Sequence, residues 1–110
     1  MGQTFKEKLD SVLKLENFAA VAGKKNTYER TFDVQKKKAG LKVEKVRVRL
    51  RVAGQNIAYT VNWVDMVGNR TKRVRTGSVQ LLPTDGHADI WCKVGDIANV
   101  GKQFAVAYAQ

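Results

Sequence analysis

Between Lys45 and Val52 an aliphatic residue stands at every second position: Val46, Val48, Leu50 and Val52. Successive strand side chains point to opposite faces, so Leu41 to Val52 predicts one strand with one apolar side. Ala53-Gly54-Gln55-Asn56 reads as a turn, with Gly54 and Asn56 suited to positive φ. Ile57 to Met66 predicts the return strand, with Tyr59, Val61 and Trp63 on one face and Thr60, Asn62 and Val64 on the other. Gly68-Asn69 marks the next reversal. Thr71 to Leu82 predicts a third strand, Val79 and Leu81 inward and Thr76, Ser78 and Gln80 outward. Tyr28 to Val34 also alternates, and Gln35 to Gly40, with three successive lysines, is a turn. Strands joined by short turns make an antiparallel meander.

After Pro83 the period changes. Ile90, Val94, Ile97, Ala98, Phe104, Ala105 and Tyr108 recur at helical spacing, and Thr84 or Asp85 is suited to cap the helix. Gly95 and Gly101 interrupt it, each costing about 1 kcal/mol relative to Ala. Either they split the helix or they admit a close neighbour. Residues 3–18 read both ways. Phe5, Leu9 and Leu13 fit a helical stripe, whereas Asp10-Ser11 suits the turn of a hairpin; the hairpin is preferred. Residues 19–27 read as a connection carrying two exposed lysines. The expectation is one α+β domain over 1–110: hairpin and connection at 1–27, sheet of about five strands at 28–83, helical segment at 84–110.

The apolar sheet face must be covered, and the C-terminal helical segment is the element available. Some 20 helical residues reach about 30 Å, whereas five or six strands span about 20–25 Å. The overhang predicts a homodimer in which each helix packs on the other subunit's sheet.

Charge gives the opposite face its character. The positions between the aliphatics are Lys45, Arg47, Arg49 and Arg51, a cationic row with steps of about 6–7 Å. The chain carries 20 Lys+Arg against 10 Asp+Glu, net +10, which attracts polyanions. Beside the row stand Thr60 and Asn62, then Thr76, Ser78 and Gln80. Arginine grips phosphate, and hydroxyl and amide groups reach base edges, so this face predicts RNA binding.

Other chemistry finds little support. The single Cys92 cannot form an internal disulfide, and one histidine, His87, with Asp89 nearby makes no metal cluster. His87 and Cys92 point to different faces of a helix, so no enzyme is expected. No apolar run approaches the ~20 residues of a membrane span, and the N-terminus lacks a signal-peptide pattern. The expected compartment is the cytoplasm.

Arg49 to Trp63, R-L-R-V-A-G-Q-N-I-A-Y-T-V-N-W, resembles the central hairpin of coat proteins from single-stranded RNA bacteriophages, the levivirus group. The preceding E-R-T-F-D-V-Q-K-K-K-A-G-L-K-V is similar to the lead-in strand and turn, and S-V-Q-L-L-P-T-D to the last strand and helix start. The likeness covers residues 28–110 and rests on order and spacing. It implies an N-terminal hairpin, a five-stranded antiparallel sheet and C-terminal helices, interlocked in a homodimer that assembles into an icosahedral shell. It implies that the inner sheet face binds hairpins of single-stranded genomic RNA, for packaging and for translational repression. Carried over by position, the RNA-facing set is Lys45, Arg47, Arg49, Arg51, Thr60, Asn62, Thr76, Ser78 and Gln80, with Val64 beside them. It implies no cofactor, no membrane and no small-molecule substrate, and a protein of the virion assembled in the bacterial cytoplasm. The sequence departs from the family where relatives stack an aromatic ring, at Val74 and Thr76; in a shorter loop at Val67 to Lys72; and in a second helix abbreviated to Gly101–Gln110. The surplus of arginine points to less selective, more electrostatic binding. The alternative is a dimeric RNA- or DNA-binding protein that makes no shell.

Overall fold

Alternation and helical periodicity resolve into five strands and two helices. The structure, a computed structural model, describes residues 4–34, 45–65 and 70–108, with the backbone alone at 70–72, 74, 107 and 108. The elements are α1 (Phe5–Leu15), β1 (Ala19–Ala20), β2 (Thr27–Asp33), β3 (Lys45–Ala53), β4 (Asn56–Val64), β5 (Arg70–Gln80) and α2 (His87–Tyr108). The strands form one antiparallel sheet in the order β1-β2-β3-β4-β5. The fold is thus α+β. The predicted lysine turn at 35–40, the residues 41–44 and the reversal at Gly68-Asn69 lie outside the described residues.

The N-terminal hairpin expected from Asp10-Ser11 is a helix instead. The Thr4 hydroxyl accepts from Glu7 N (3.2 Å) while the Glu7 carboxylate accepts from Thr4 N (3.3 Å), a capping box. The end is equally defined. Asn17 takes φ 60°, with Asn17 N donating to Lys14 O (3.0 Å) and Phe18 N to Leu13 O (2.9 Å). That is a Schellman motif, and its characteristic apolar pair, Leu13 and Phe18, is buried. Leu9, Val12 and Leu13 make the buried stripe. Two caps and a stripe at i, i+3 and i+4 outweigh the turn tendency of Asp10-Ser11. The segment 19–27 is also more than a connection, since Ala19 and Ala20 add a short edge strand to β2.

One face of the sheet lies under both helices. Val46, Val48 and Leu50 of β3, Ile57 and Val61 of β4, and Ile90, Val94, Ile97, Ala98 and Ala105 of α2 are all buried, joined by the α1 stripe. Tyr28 of β2 donates to Asp10 of α1 at 3.5 Å, and burial, with the Asp10 carboxylate second, pushes the phenol pKa up. Glu16 at the end of α1 ties three elements. Its carbonyl accepts from Arg30 of β2 (3.0 Å) and its carboxylate from Trp91 of α2 (2.5 Å). Arg30 itself stacks over Phe32 at 4.4 Å.

α2 runs unbroken for 22 residues, so neither glycine splits it, and the expected second helix from Gly101 is its last part. At Gly101 the helix lies close against the sheet: a Cβ there would run into Val48 and would stand 3.0 Å from the Phe32 ring. The helix start also differs from expectation. Asp85 does not cap it; its carboxylate accepts from Leu82 N (2.9 Å) and from Lys93 Nζ (2.9 Å), closing the turn through Pro83. Gly86 O accepts the first helical bond from Ile90 N, and Asp89 accepts from Gly86 N (3.1 Å).

Two predictions follow from these joints. Gly101→Val should lower stability by about 1–3 kcal/mol through overpacking against Val48 and Phe32, read by urea denaturation. The bond from Leu82 N, then that from Lys93, hold the Asp85 carboxyl below the ordinary carboxylate range. A lowered folded pKa adds stability above the unfolded value of about 3.9, lost as pH falls through the folded one. Asp85→Asn should therefore be less stable than the parent at neutral pH, with the difference shrinking as pH falls below about 4 in a urea-denaturation series.

Candidate nucleic-acid interface

The face opposite the helices carries the cations. On β3, Val46, Val48 and Leu50 are fully buried, so Lys45, Arg47, Arg49 and Arg51 stand on the other side. Register brings in the neighbouring strands: Arg47 lies beside Asn62, Arg49 beside Thr60 and Arg51 beside Ala58 on β4. Beyond them, Thr76 pairs with Thr60, Ser78 with Ala58 and Gln80 with Asn56. All nine residues expected on the basic face therefore share one side of the sheet. Thr76, Ser78 and Gln80 are exposed, Thr60 half-buried.

Two of them are less open than alternation suggests. Asn62 is only 6% exposed, and its Oδ1 accepts no hydrogen bond among the described residues. A base edge reaches that oxygen only after the flanking side chains move aside. Val64, beside Lys45, is also buried.

Register also places acids on this face. Glu29 of β2 lies opposite Arg49 and Asp33 opposite Lys45. Arg49 Nη2 donates to Glu29 Oε2 at 2.9 Å, and Lys45 Nζ lies 3.8 Å from Asp33 Oδ1. Both side chains of the second pair are largely exposed, so its contribution is small. The first pair is about two-thirds buried, but its contact is a single hydrogen bond rather than a bidentate fork, and Arg49 Nε is left shielded without a partner among the described residues. Such a partly solvated pair is worth about 0–1 kcal/mol, which a phosphate can match. β3 has no acidic interruption; the counter-charges sit one strand away, where only the β2–β3 register reveals them.

A bulge adds a cation that alternation misplaces. Val61 pairs with Arg75 and Asn62 with Arg73, so one extra residue, Val74, is accommodated in β5. The extra residue flips parity. Arg73 joins the basic face beside Asn62, and Arg75 goes to the helix side; both are exposed. From the outward even positions Thr76, Ser78 and Gln80, alternation puts both arginines on the helix side, so Arg73 alone departs from it. No pattern in the residues announces the bulge, although Arg and Lys at both parities between Arg70 and Arg75 leave room for one.

No protein-family model, no curated protein and no solved structure matches this chain. The site is therefore read from its own residues.

Other chemistry is sparse on the described residues. His87 Nε2 lies 3.2 Å from Ser11 Oγ, and its ring meets Trp91 edge-on at 6.2 Å between centroids. Asp89 is occupied at the helix start and Cys92 is exposed. Among the described residues no three His, Cys, Asp or Glu side chains gather as metal ligands, and no helix is long and apolar enough to cross a membrane.

The bulge gives a direct test of facing. Arg73→Ser should lower the slope of log K against log salt for a short RNA by about 0.7–0.9. Arg75→Ser, on the helix side, should leave it at the parental value.

Proposed function

We propose that this chain is a structural coat protein of the kind made by single-stranded RNA bacteriophages. In this reading it forms a homodimer and assembles into an icosahedral shell. Its basic sheet face lines the interior and binds hairpins of the genomic RNA, for packaging and translational repression. The observation that carries it is the division of the sheet. Arg47, Arg49, Arg51 and Arg73 share a face that neither helix covers, while the apolar face is occupied by α1 and α2. A protein that wraps a polyanion needs such a two-sided wall, and the order of elements from residue 28 onward resembles the levivirus arrangement.

Two further features favour pairing with a second copy. β5 is an 11-residue strand at the end of the sheet, with no neighbour on its outer side among the described residues. Open edges of that length invite a further strand. On the helix side α2 packs chiefly on β2 and β3, and Tyr59, Trp63 and Val79 of the β4–β5 half are only partly buried. Gly77 lets Tyr59 lie flat on β5: a Cβ there would stand 2.5 Å from the phenol oxygen. An apolar half-face beside an open edge is the surface a partner's helix would cover.

Expression in bacteria followed by electron microscopy tests the reading. Particles of uniform diameter containing host RNA are expected. A soluble RNA-binding dimer without particles would instead assign the chain to non-capsid nucleic-acid-binding proteins. Replacing Arg47 and Arg49 together by Ser should weaken RNA binding and lower the salt slope by about 0.7–0.9 per lost phosphate contact; unchanged binding would remove the sheet face from consideration.

A further inference from the structure

At one end of the basic face the charges converge. Lys24, Lys25, Arg49 and Arg51 surround a concavity of 510 Å³ whose walls include Thr27 and Thr60. Ala58, opposite Arg51, is the small residue that gives it depth. Lys24 and Lys25 come not from the sheet but from the turn between β1 and β2. Four hydrogen bonds hold that turn against the sheet end. Thr27 Oγ1 donates to Lys25 O (3.1 Å), Val52 N to Asn26 O (2.9 Å), Val21 N to Thr27 O (2.9 Å) and Lys24 N to Val21 O (3.2 Å). Asn26 takes φ 55° to complete it. Thr27 lies directly across from Arg51. The lysine backbones are thus fixed before any ligand arrives, which lowers the ordering cost of binding.

Charge balance around the concavity is one-sided. Among the described residues no carboxylate pairs with Lys24, Lys25 or Arg51. Among the described residues Glu29 pairs with the group, holding Arg49 through a single bond. The opposite end of the row is different, because there Lys45 faces Asp33.

We infer that this end of the sheet is a cradle for consecutive phosphates of a single-stranded RNA backbone, with Lys24, Lys25 and Arg51 as the standing contacts. Glu29 is its resident anion: it occupies Arg49 in the free protein and yields it to an incoming phosphate. The inference rests on the RNA-binding reading of the sheet face and adds where on that face the backbone is gripped and what competes for it. Neighbouring cations of β3 recur every two strand residues, about 6–7 Å, a step short enough to meet successive phosphates of an extended backbone. The hydroxyls of Thr27 and Thr60 line the space between them.

Salt titration of binding to a short unstructured oligouridylate separates the possibilities. Lys24→Ser with Lys25→Ser should lower the slope by about 1.4, two single-strand contacts at about 0.7 each. Glu29→Gln should raise affinity several-fold at low salt and steepen the slope by up to about 0.7, because Arg49 is then shared with no carboxylate. Arg47→Ser, on the face but outside the concavity, is the reference. A lysine variant with the parental slope, where Arg47→Ser loses slope, would overturn the cradle and leave the face reading standing. Parental slopes in the lysine and Arg47 variants alike would overturn both. A Glu29→Gln protein that binds no more tightly than its parent would overturn the role of Glu29.

Discussion

The structure depends on making a row of like charges tolerable on one strand. Neighbouring cations on β3 stand about 6–7 Å apart, which costs about 0.6 kcal/mol per pair in bulk water and about 2.5 kcal/mol at an effective dielectric of 20. Three such steps separate Lys45 from Arg51. Against this, the same strand buries Val46, Val48 and Leu50 completely, worth about 1.5–3 kcal/mol each. The strand persists because its two faces meet different surroundings: hydrocarbon beneath, solvent and counter-charge above. Glu29 and Asp33 of β2 supply part of that counter-charge, and a bound polyanion would supply the rest.

The covering of the apolar face decides how open the basic face can be. α1 and α2 lie on the same side and are joined at Glu16, at the Ser11–His87 contact and through the shared core. The close approach at Gly101 draws α2 down onto Val48 and Phe32. Because both helices are committed to that side, neither lies over Arg47, Arg49 and Arg51. The concavity between β3, β4 and the turn at 21–26 follows from the same arrangement: a small residue at 58, long cations around it, and a turn pinned by its own backbone.

Much of this is legible in the residues. The alternation of β3 and β4, the helical period after Pro83 and the side on which Arg47, Arg49, Arg51, Thr60 and Asn62 stand all follow from a period of two against a period of 3.6. The N-terminal segment does not read so simply. Phe5, Leu9 and Leu13 propose a helix and Asp10-Ser11 a turn, and the decision comes from end effects, a capping box at Thr4 and a left-handed Asn17, whose worth depends on Leu13 and Phe18 finding a core. Gly95 and Gly101 read either as breaks or as points of close approach, and tertiary packing decides between them, since the helix is unbroken and Gly101 lies against Val48 and Phe32.

By itself, the sequence determined which residues are greasy, which are cationic and at what period each recurs, and hence the two-faced strands and the helical period after Pro83. Those are local properties, set by backbone geometry within a few residues. Only the tertiary structure decided that Glu29 meets Arg49, that Asn62 is buried among its neighbours, that Arg73 rather than Arg75 joins the basic face, and that Lys24 and Lys25 close one end of it. Each of those depends on strand register, on one extra residue in β5 or on a turn folded back against the sheet. Such relations link residues far apart in the chain, and no local pattern encodes them.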